Sequence, residues 1–318
     1  MAPRVRKILA GPAGDGQRLD NFLLRELKGV PRSRVYRLLR RGEVRVNGGR
    51  AKPDYRLAAD DLVRLPPLRD MAGAEPPGRI PDSLLAAVRE ALVHEDERIL
   101  AFNKPAGLAV HGGSGLSFGL IEALRVLRPD EPLELVHRLD RDTSGCLLVA
   151  RTRAALRELH SMLREGQVEK HYTALVAGQW RLGRKKVDAP VLTQARRGGE
   201  RMVRVHADGK LAVSIFDPRQ HYQGIASLLD VEIHTGRTHQ IRVHAAYAGH
   251  PVAGDEKYGV REFNSRMREF GLRRMFLHAG VFAFRWPGSG QRLRIEVELP
   301  ADLAAVLAAL PRPTNIQR

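Results

Sequence analysis

The chain has 318 residues and a formal charge of +17, from 53 lysines and arginines against 36 aspartates and glutamates. So positive a surface favours a polyanionic partner, either a nucleic acid or an anionic membrane. No apolar run approaches the roughly 18 residues that span a bilayer, and residues 1–13 are basic without the apolar core of a signal peptide. The single cysteine, Cys146, excludes a disulfide framework and a zinc cluster. We therefore expect a soluble, cytoplasmic protein that binds nucleic acid and no membrane.

The positive charge is concentrated near the N terminus, where residues 1–70 contain 17 basic and 8 acidic residues. After an expected N-terminal tail of residues 1–15, apolar residues at helical spacing predict a first helix over residues 19–27. A proline opens a second helix over residues 31–41, and a glycine ends it. Short strands around an Asn-Gly-Gly turn then predict a hairpin within residues 44–65.

The second predicted helix is strongly basic. Val35, Leu38 and Leu39 point inward, whereas five arginines occupy the other faces with hardly any acidic neighbours. A charge run is usually a solvated helix face, but here contact with the phosphates of a nucleic acid is the better interpretation. The five candidate residues are Arg32, Arg34, Arg37, Arg40 and Arg41.

A segment rich in proline and glycine separates the basic region from the rest of the chain. Residues 66–81 contain five prolines and no periodic pattern, which predicts a linker over residues 69–88. Beyond it we expect an α+β domain on a mixed, largely antiparallel sheet over residues 89–312, and then a C-terminal tail of residues 313–318. Strands are predicted near residues 98–102, 146–150, 171–177 and 228–233, and helices after Thr152 and Thr238.

The most informative segment is residues 135–149, in which Asp140 lies between two arginines where an apolar strand gives way to a polar turn. A second apolar strand starts directly after Gly145. A carboxylate flanked by arginines is expected to stay ionised, which suits a nucleophile or an electrostatic anchor better than a proton donor. The same residues also fit an ordinary turn with solvated ion pairs, so this segment does not decide the function by itself.

Three later segments contain further candidates. Tyr172 lies on a strand rich in β-forming residues, where it also fits a half-buried aromatic without a chemical role. Arg237 lies in a glycine turn that leads from a strand into a helix, a place suited to anions such as phosphate or carboxylate. The glycine-punctuated loop of residues 249–259 indicates only that the backbone turns tightly there.

Several classes of site lack their motifs. His239 and His244 are five residues apart, so they do not share one helical face, and no His-Glu-x-x-His motif or cysteine pair occurs. Residues 111–115 lack the Gly-x-Ser-x-Gly turn of a hydrolase, and neither phosphate-loop nor dinucleotide fingerprints are found. These absences leave an RNA enzyme that uses side chains only, without metal or cofactor, or a plain RNA-binding protein.

The N-terminal order of two helices, a basic second helix and small strands resembles the alpha-L RNA-binding module first known from a ribosomal protein. On this resemblance we assign the module to residues 16–68. It implies that the helix of residues 31–41 and the following strand lie against an RNA backbone, where they add salt-dependent affinity without reading sequence.

Five motifs in order resemble those of the RluA-type pseudouridine synthases, over nearly all of residues 95–300. The N-terminal segments around residues 16–23 and 42–47 look like the RluC branch, which acts on large-subunit ribosomal RNA. Five ordered motifs are far more specific than any one of them. The motifs are residues 103–107 (NKPAG), 137–145 (HRLDRDTSG), 170–172 (KHY), 235–242 (TGRTHQIR) and 277–279 (LHA).

The resemblance implies an isomerase that converts specific uridines of 23S ribosomal RNA into pseudouridine without a cofactor or metal. Asp140 would be the catalytic carboxylate, acting on the ribose anomeric carbon or by proton abstraction, and Arg237 would pair with it. Tyr172 would stack on the target base and could help remove its carbon-5 proton. Arg138 would enter the base stack in place of the flipped uridine. Ile241 and Leu277 are candidates for apolar packing around the base.

Two alternatives stay open at this point. One is a transfer-RNA pseudouridine synthase, and the other is a non-catalytic RNA-binding factor for ribosome assembly that uses the same basic module. The sequence leaves open which uridines are converted and whether the substrate is free RNA or the assembling large ribosomal subunit. Nothing in it suggests more than a monomer.

Overall fold

The computed structural model describes residues 5–27, 30, 32–67, 80–112, 118–195 and 201–315. The chain divides into two compact units, residues 1–78 and residues 79–318. Among the described residues, no helix is both long and apolar enough to cross a membrane.

The first unit is a small sheet covered by two helices. Its elements are β1 (Arg6–Leu9), α1 (Leu19–Glu26), α2 (Arg32–Arg41), β2 (Arg45–Val46) and β3 (Leu62–Leu65). The strand order is β1-β3-β2, and both pairings are antiparallel. Phe22 of α1 and Val35 of α2 are fully buried in the core that the helices share with the strands. The predicted helices and hairpin are thus confirmed, except that Pro31 lies outside the described residues.

The second unit is built on one large sheet. Its elements up to β8 are α3 (Asp82–Glu90), β4 (Leu92–Glu95), β5 (Ile99–Lys104), α4 (Leu120–Leu127), β6 (Glu134–Leu135), β7 (Ser144–Ala150), α5 (Arg153–Glu165) and β8 (Val168–Ala177). They continue with β9 (Lys185–Asp188), β10 (Val191–Ala195), β11 (Arg201–Val205), β12 (Val213–Tyr222), β13 (Ala226–Ile233) and α6 (Gln240–Tyr247). The last are α7 (Arg261–Glu269), β14 (Leu277–Arg285), β15 (Arg292–Glu296), α8 (Ala301–Ala309) and β16 (Thr314–Asn315).

Eleven strands of the described chain form this sheet, in the order β16-β12-β13-β8-β14-β7-β5-β4, with β15 beside β14, β6 beside β7 and β9 beside β12. The pair β14–β7 is parallel and the other pairs are antiparallel. Strands β10 and β11 form a separate antiparallel hairpin. The expected α+β class with a mixed, largely antiparallel sheet is therefore confirmed.

Helices cover both faces of the sheet at β5. Because successive strand residues point to opposite faces, Leu100 and Phe102 pack with α3 and α4, while Ile99 and Ala101 pack with α5. The end residues of α5 follow the sequence prediction: the Thr152 hydroxyl accepts the N–H of Ala155, and Gly166 ends the helix with a φ of +73°. Every residue of β7 is buried, so the loop that precedes it is attached to the centre of the fold.

The segment boundaries differ from the sequence expectation at three places. The expected N-terminal tail contains β1, which is too short to show a periodic pattern but closes one edge of the first sheet. The helix α3 begins at Asp82, inside the segment expected to be a linker, because Leu84, Leu85 and Val88 lie at helical spacing and pack on the core. The expected C-terminal tail contains β16, whose two residues pair with β12.

Candidate active site

Asp140 lies on the loop between β6 and β7, and its side chain is 18% exposed. The preceding residue, Leu139, is buried in the core, and the N–H of Thr143 donates to the Asp140 carbonyl oxygen at 3.2 Å. The loop is therefore held at both ends while the carboxylate faces an open cleft. A rigid turn of this kind presents a reactive group without the entropy cost of ordering it.

A buried lysine supports this loop from the sheet side. Lys104, in the predicted NKPAG motif, is fully buried and donates three hydrogen bonds to backbone carbonyl oxygens. Burial lowers the pKa of Lys104 to about 7, against the opposite effect of the Asp142 and Asp140 carboxylates. The acceptors are the carbonyl oxygens of Pro105, Leu108 and Arg141, at 2.9, 2.9 and 3.0 Å. One side chain thus ties the NKPAG turn to the residue that follows Asp140.

The partner of Asp140 is Arg242, on α6. Its Nη1 lies 3.4 Å from Oδ2 of Asp140, while Nε and Nη2 donate to the two oxygens of Asp255 at 2.7 and 2.8 Å. The Asp255 carboxylate has no exposed surface. Burial is the largest single influence and opposes ionisation, but the hydrogen bonds and charge of Arg242, together with backbone N–H groups of Lys257 and Tyr258, hold the pKa of Asp255 below its usual value. A buried carboxylate therefore fixes the guanidinium that faces Asp140.

The expected pairing of Arg237 with Asp140 was wrong. Arg237 is exposed, and its Nε donates to the Leu211 carbonyl oxygen at 3.0 Å, although the residue lines the same cleft as Asp140. Arg237 precedes α6 in an exposed turn, whereas Arg242 lies within the helix between buried Ile241 and Val243. A cation between buried apolar residues requires an acidic partner, so the apolar residues on either side of Arg242 are the sequence signal that could have found it.

The arginines adjacent to Asp140 do not neutralise it either. Arg141 and Gly107 are joined by two hydrogen bonds. Nε of Arg141 donates to the Gly107 carbonyl oxygen at 3.1 Å, and the Gly107 N–H donates to the Arg141 carbonyl oxygen. Arg138 is exposed, and its guanidinium has no hydrogen bond or ion pair to any residue that the structure describes. Proximity in the sequence was thus a poor guide to the ion pairs of this loop.

Strand register brings Tyr172 to the same cleft. Ala279 of β14 pairs with Gly145 of β7 on one side and with Tyr172 of β8 on the other. Burial, and next the charge of Asp140, raise the pKa of Tyr172 above its ordinary value, so its phenol is neutral at physiological pH. Ile241 and Leu277 are buried and form an apolar wall of the cleft.

The sequence analysis did not predict that His239 and Tyr258 belong to the surroundings of Asp140. His239 is the last residue before α6, and its Nε2 lies 3.8 Å from Oδ2 of Asp140. Its Nδ1 lies 2.8 Å from the hydroxyl of Tyr258, which follows Asp255 in the glycine-punctuated loop. Burial lowers the pKa of His239, so its imidazole is neutral near pH 7. Neither residue has a sequence signal beyond its place in a quoted motif or loop.

Comparison with known proteins identifies the family of this site. The model of the RNA pseudouridylate synthase family matches residues 98–247, and that of the S4 domain matches residues 17–63. The ribosomal large subunit pseudouridine synthase C of Escherichia coli strain K12 is 52% identical, over 96% of this chain and 96% of that protein. The protein of that name from Pasteurella multocida is 53% identical, over 93% and 90%. The chain belongs to the RNA pseudouridylate synthase family.

Solved structures agree with the assignment of this pseudouridine synthase to the family. Human RNA pseudouridylate synthase domain containing 1 superposes with a TM-score of 0.58 and 26% identity, over 72% of this chain and 90% of that one. Human RNA pseudouridylate synthase domain containing 4 has a TM-score of 0.59 at 23% identity, over 73% and 98%, and so supports the fold.

The S4 domain of this pseudouridine synthase carries the predicted basic helix α2. Arg37, Arg40 and Arg41 are exposed, and Arg34 is half-buried. The side chain of Arg32 lies outside the described residues. The opposite face of α2 is buried through Val35, Leu38 and Leu39, as the sequence predicted.

His244, which the sequence analysis considered as a metal ligand, uses both ring nitrogens in hydrogen bonds in this pseudouridine synthase. His244 is buried and places Nδ1 3.0 Å from the Ser214 hydroxyl and Nε2 2.9 Å from the Ala189 carbonyl oxygen. Within the part of the chain that the structure describes, no group of three or more histidine, cysteine, aspartate or glutamate side chains is arranged to hold a metal ion.

Proposed function

We propose that this pseudouridine synthase isomerises specific uridines of 23S ribosomal RNA. The observation that carries the proposal is the Asp140 carboxylate, held by Arg242 in a cleft that Tyr172 and an apolar wall enclose. The substrate follows from the relatives named ribosomal large subunit pseudouridine synthase C, which match nearly the full length of this chain.

In the proposed reaction a uridine is flipped out of the RNA into this cleft. Asp140 attacks the ribose anomeric carbon or assists cleavage of the glycosidic bond by proton abstraction. The uracil is released with the electrons of the glycosidic bond, rotates in place and bonds to the anomeric carbon through carbon-5, which displaces the Asp140 oxygen where it had attacked. The carbon-5 proton is then lost as nitrogen-1 gains one. Arg242 faces the Asp140 carboxylate with its positive charge at 3.4 Å and so orients it for this step.

Tyr172 is proposed to stack on the flipped base, together with the apolar wall of Ile241 and Leu277. The raised pKa of the Tyr172 phenol supports stacking over proton removal from carbon-5, because ionising this phenol costs more here than in water. Stacking of a base on an aromatic ring is worth about 1–3 kcal/mol, enough to hold the detached uracil while it rotates.

Two arginines at the cleft are proposed to contact the RNA itself. Arg138 is exposed, lies two residues from Asp140 and has no partner among the described residues, so it is free to fill the gap that the flipped base leaves. Arg237 is exposed on the lining of the same cleft and suits a phosphate beside the target nucleotide. Its catalytic role would then be to position the RNA.

The S4 domain is proposed to bind the RNA backbone through the arginines of α2. Exposed Arg37, Arg40 and Arg41 supply charge at one end of the helix, and such contacts fix orientation without reading sequence. We propose that the enzyme acts as a monomer, as the sequence analysis expected. We place it in the cytoplasm, on free 23S ribosomal RNA or on the assembling large subunit.

The test is a map of pseudouridines in all ribosomal and transfer RNAs from cells with and without the gene. We expect particular 23S positions to lose pseudouridine in the deletion strain and to regain it when the gene is restored. Loss confined to transfer RNA would replace the proposed substrate with the first alternative. An unchanged map with retained ribosome binding would instead indicate the non-catalytic assembly factor.

A further inference from the structure

We propose that His239 is a positioning residue for Asp140, presenting an N–H to the Oδ2 oxygen through a hydrogen-bond chain that starts at Tyr258. This inference rests on the proposed catalytic function of Asp140. It adds a second, uncharged contact to the ion pair with Arg242.

Both contacts converge on one oxygen of the carboxylate. Nη1 of Arg242 and Nε2 of His239 lie 3.4 and 3.8 Å from Oδ2 of Asp140. The three side chains are only 11–18% exposed, so water screens these interactions weakly. Among the described residues, both polar contacts of the Asp140 carboxylate are made to Oδ2 and none to Oδ1. We therefore assign Oδ1 to the substrate.

The hydrogen bonds of Tyr258 determine which nitrogen of His239 carries the proton. The N–H of Val203 donates to the Tyr258 hydroxyl oxygen at 3.1 Å, so the hydroxyl proton remains to be donated elsewhere. Its acceptor is Nδ1 of His239, at 2.8 Å. A neutral imidazole has one N–H, which must therefore sit on Nε2, the nitrogen that faces Asp140.

The backbone and the rings hold His239 in this orientation. Its φ of +54° is a left-handed conformation that costs a non-glycine residue free energy, and such conformations cluster at functional sites. The imidazole meets the Tyr258 ring edge-on at 5.5 Å, and the guanidinium of Arg242 lies 5.0 Å over the same ring. Tyr258 thus contacts both side chains that face Asp140.

The distance of 3.8 Å between Nε2 and Oδ2 is longer than a hydrogen bond. Catalytic hydrogen bonds are often long in a free enzyme and tighten in the complex. We infer that the His239–Asp140 contact shortens when the flipped uridine displaces water from the cleft. The contact then fixes the direction of Oδ1 during the step at the ribose.

Two variants separate the two ring nitrogens. His239→Asn tolerates the left-handed backbone and keeps an acceptor for the Tyr258 hydroxyl near Nδ1, but it has no atom in place of Nε2. His239→Gln keeps an amide N–H near the position of Nε2. The experiment measures the single-turnover rate of pseudouridine formation on a 23S RNA fragment with saturating enzyme, together with RNA affinity and urea unfolding.

We expect His239→Asn to lower the single-turnover rate about 10- to 100-fold, a typical loss for mispositioning a reacting group, with RNA affinity within about twofold of the wild type. His239→Gln should be clearly faster than His239→Asn. Tyr258→Phe should lower the rate when it is introduced into the wild-type enzyme. It should not lower the rate further in the His239→Asn variant, because the Tyr258 hydroxyl acts through His239.

Three results would overturn the inference. The first is a wild-type single-turnover rate for His239→Asn, and the second is an equal decrease in rate for His239→Asn and His239→Gln. The third is a double variant of His239→Asn and Tyr258→Phe whose decrease in rate is the product of the two single decreases. If the wild-type enzyme converts no uridine of the 23S fragment, the proposed function fails instead. Asp140→Asn, assayed alongside, shows that the measured conversion depends on the site.

Discussion

Asp140 receives its main ionic partner from 102 residues further along the chain. Arg242 serves two carboxylates at once, since Asp255 takes two of its N–H groups and Asp140 faces a third nitrogen. Fixing the guanidinium by a fully buried acid removes the entropy cost of ordering a long side chain at the cleft. The orientation of the charge next to Asp140 is thus set in the core.

The two arginines of the TGRTHQIR motif, Arg237 and Arg242, should differ in their contribution to stability. Arg242→Gln leaves the buried Asp255 carboxylate without its cation, and breaking a buried pair in this way costs about 3–5 kcal/mol of unfolding free energy. Arg237→Gln should change stability by no more than about 0.5 kcal/mol, because Arg237 is exposed. Urea unfolding followed by tryptophan fluorescence measures this, since Trp180 and Trp286 both belong to the second unit.

The same pair of variants separates the two roles in activity. Arg242→Gln should lower the single-turnover rate, and Arg237→Gln should mainly weaken RNA binding. Equal stability of the two variants would contradict the pairing described for Arg242.

At the scale of elements, the turn into β7 depends on Gly145. Its φ is +117°, and a Cβ atom there would lie 2.2 Å from the carbonyl oxygen of Ala279 on the neighbouring strand. This close approach belongs to the parallel pairing of β7 with β14, which brings the Asp140 loop beside the apolar wall. A side chain at this position would force apart the two strands that the cleft depends on.

We therefore expect Gly145→Ala to destabilise the second unit by more than about 3 kcal/mol, as changes that clash with fixed backbone do. Gly166→Ala is the matched control, because Gly166 also has a positive φ, +73°, but a Cβ atom added there would have nothing within 4 Å. Only the conformational cost of a left-handed alanine, about 1–2 kcal/mol, should appear there. Urea unfolding of both variants tests this, and similar losses would show that the approach to Ala279 is not limiting.

Helix α2 is the element proposed to carry the salt-dependent part of RNA binding. Replacing Arg37, Arg40 and Arg41 together by glutamine should reduce the slope of log K against log salt by about 2–3, since each phosphate contact contributes about 0.7–0.9. Replacing the same three residues by lysine preserves the charge and should leave the slope nearly unchanged. Filter binding to a 23S fragment over a salt series measures the slopes of both variants. An unaltered slope in the glutamine variant would show that the phosphates contact residues other than these three arginines.

At the scale of the whole molecule, the sequence predicted the α+β class, the basic helix and six of the residues that line the cleft. Those predictions rested on local patterns, such as helical spacing in α1 and α2 and the cap residues of α5, or on ordered motifs. Pairing across the chain was harder to predict. Arg242 was missed in favour of Arg237, and β1 and β16 were taken for tails, because their significance arises only from partners distant in sequence.

The relation between Asp140 and Tyr172 is a further property of the whole molecule. It results from the register of three strands, β7, β14 and β8, which no local pattern specifies. The resemblance to the family implied roles for both residues at one site, and the sheet brings both of them to the same cleft. The contact of His239 with Asp140 arises likewise from the placement of α6 beside the loop.

The central claim is that Asp140 performs the isomerisation in this cleft. The most direct measurement incubates wild-type protein and the Asp140→Asn variant with 23S ribosomal RNA transcript and maps pseudouridine at each position. We predict that the wild type converts particular uridines, and that Asp140→Asn is slower by at least about 10⁴-fold with unchanged folding and RNA affinity. Conversion of the same uridines by Asp140→Asn at a rate near that of the wild type would contradict the account.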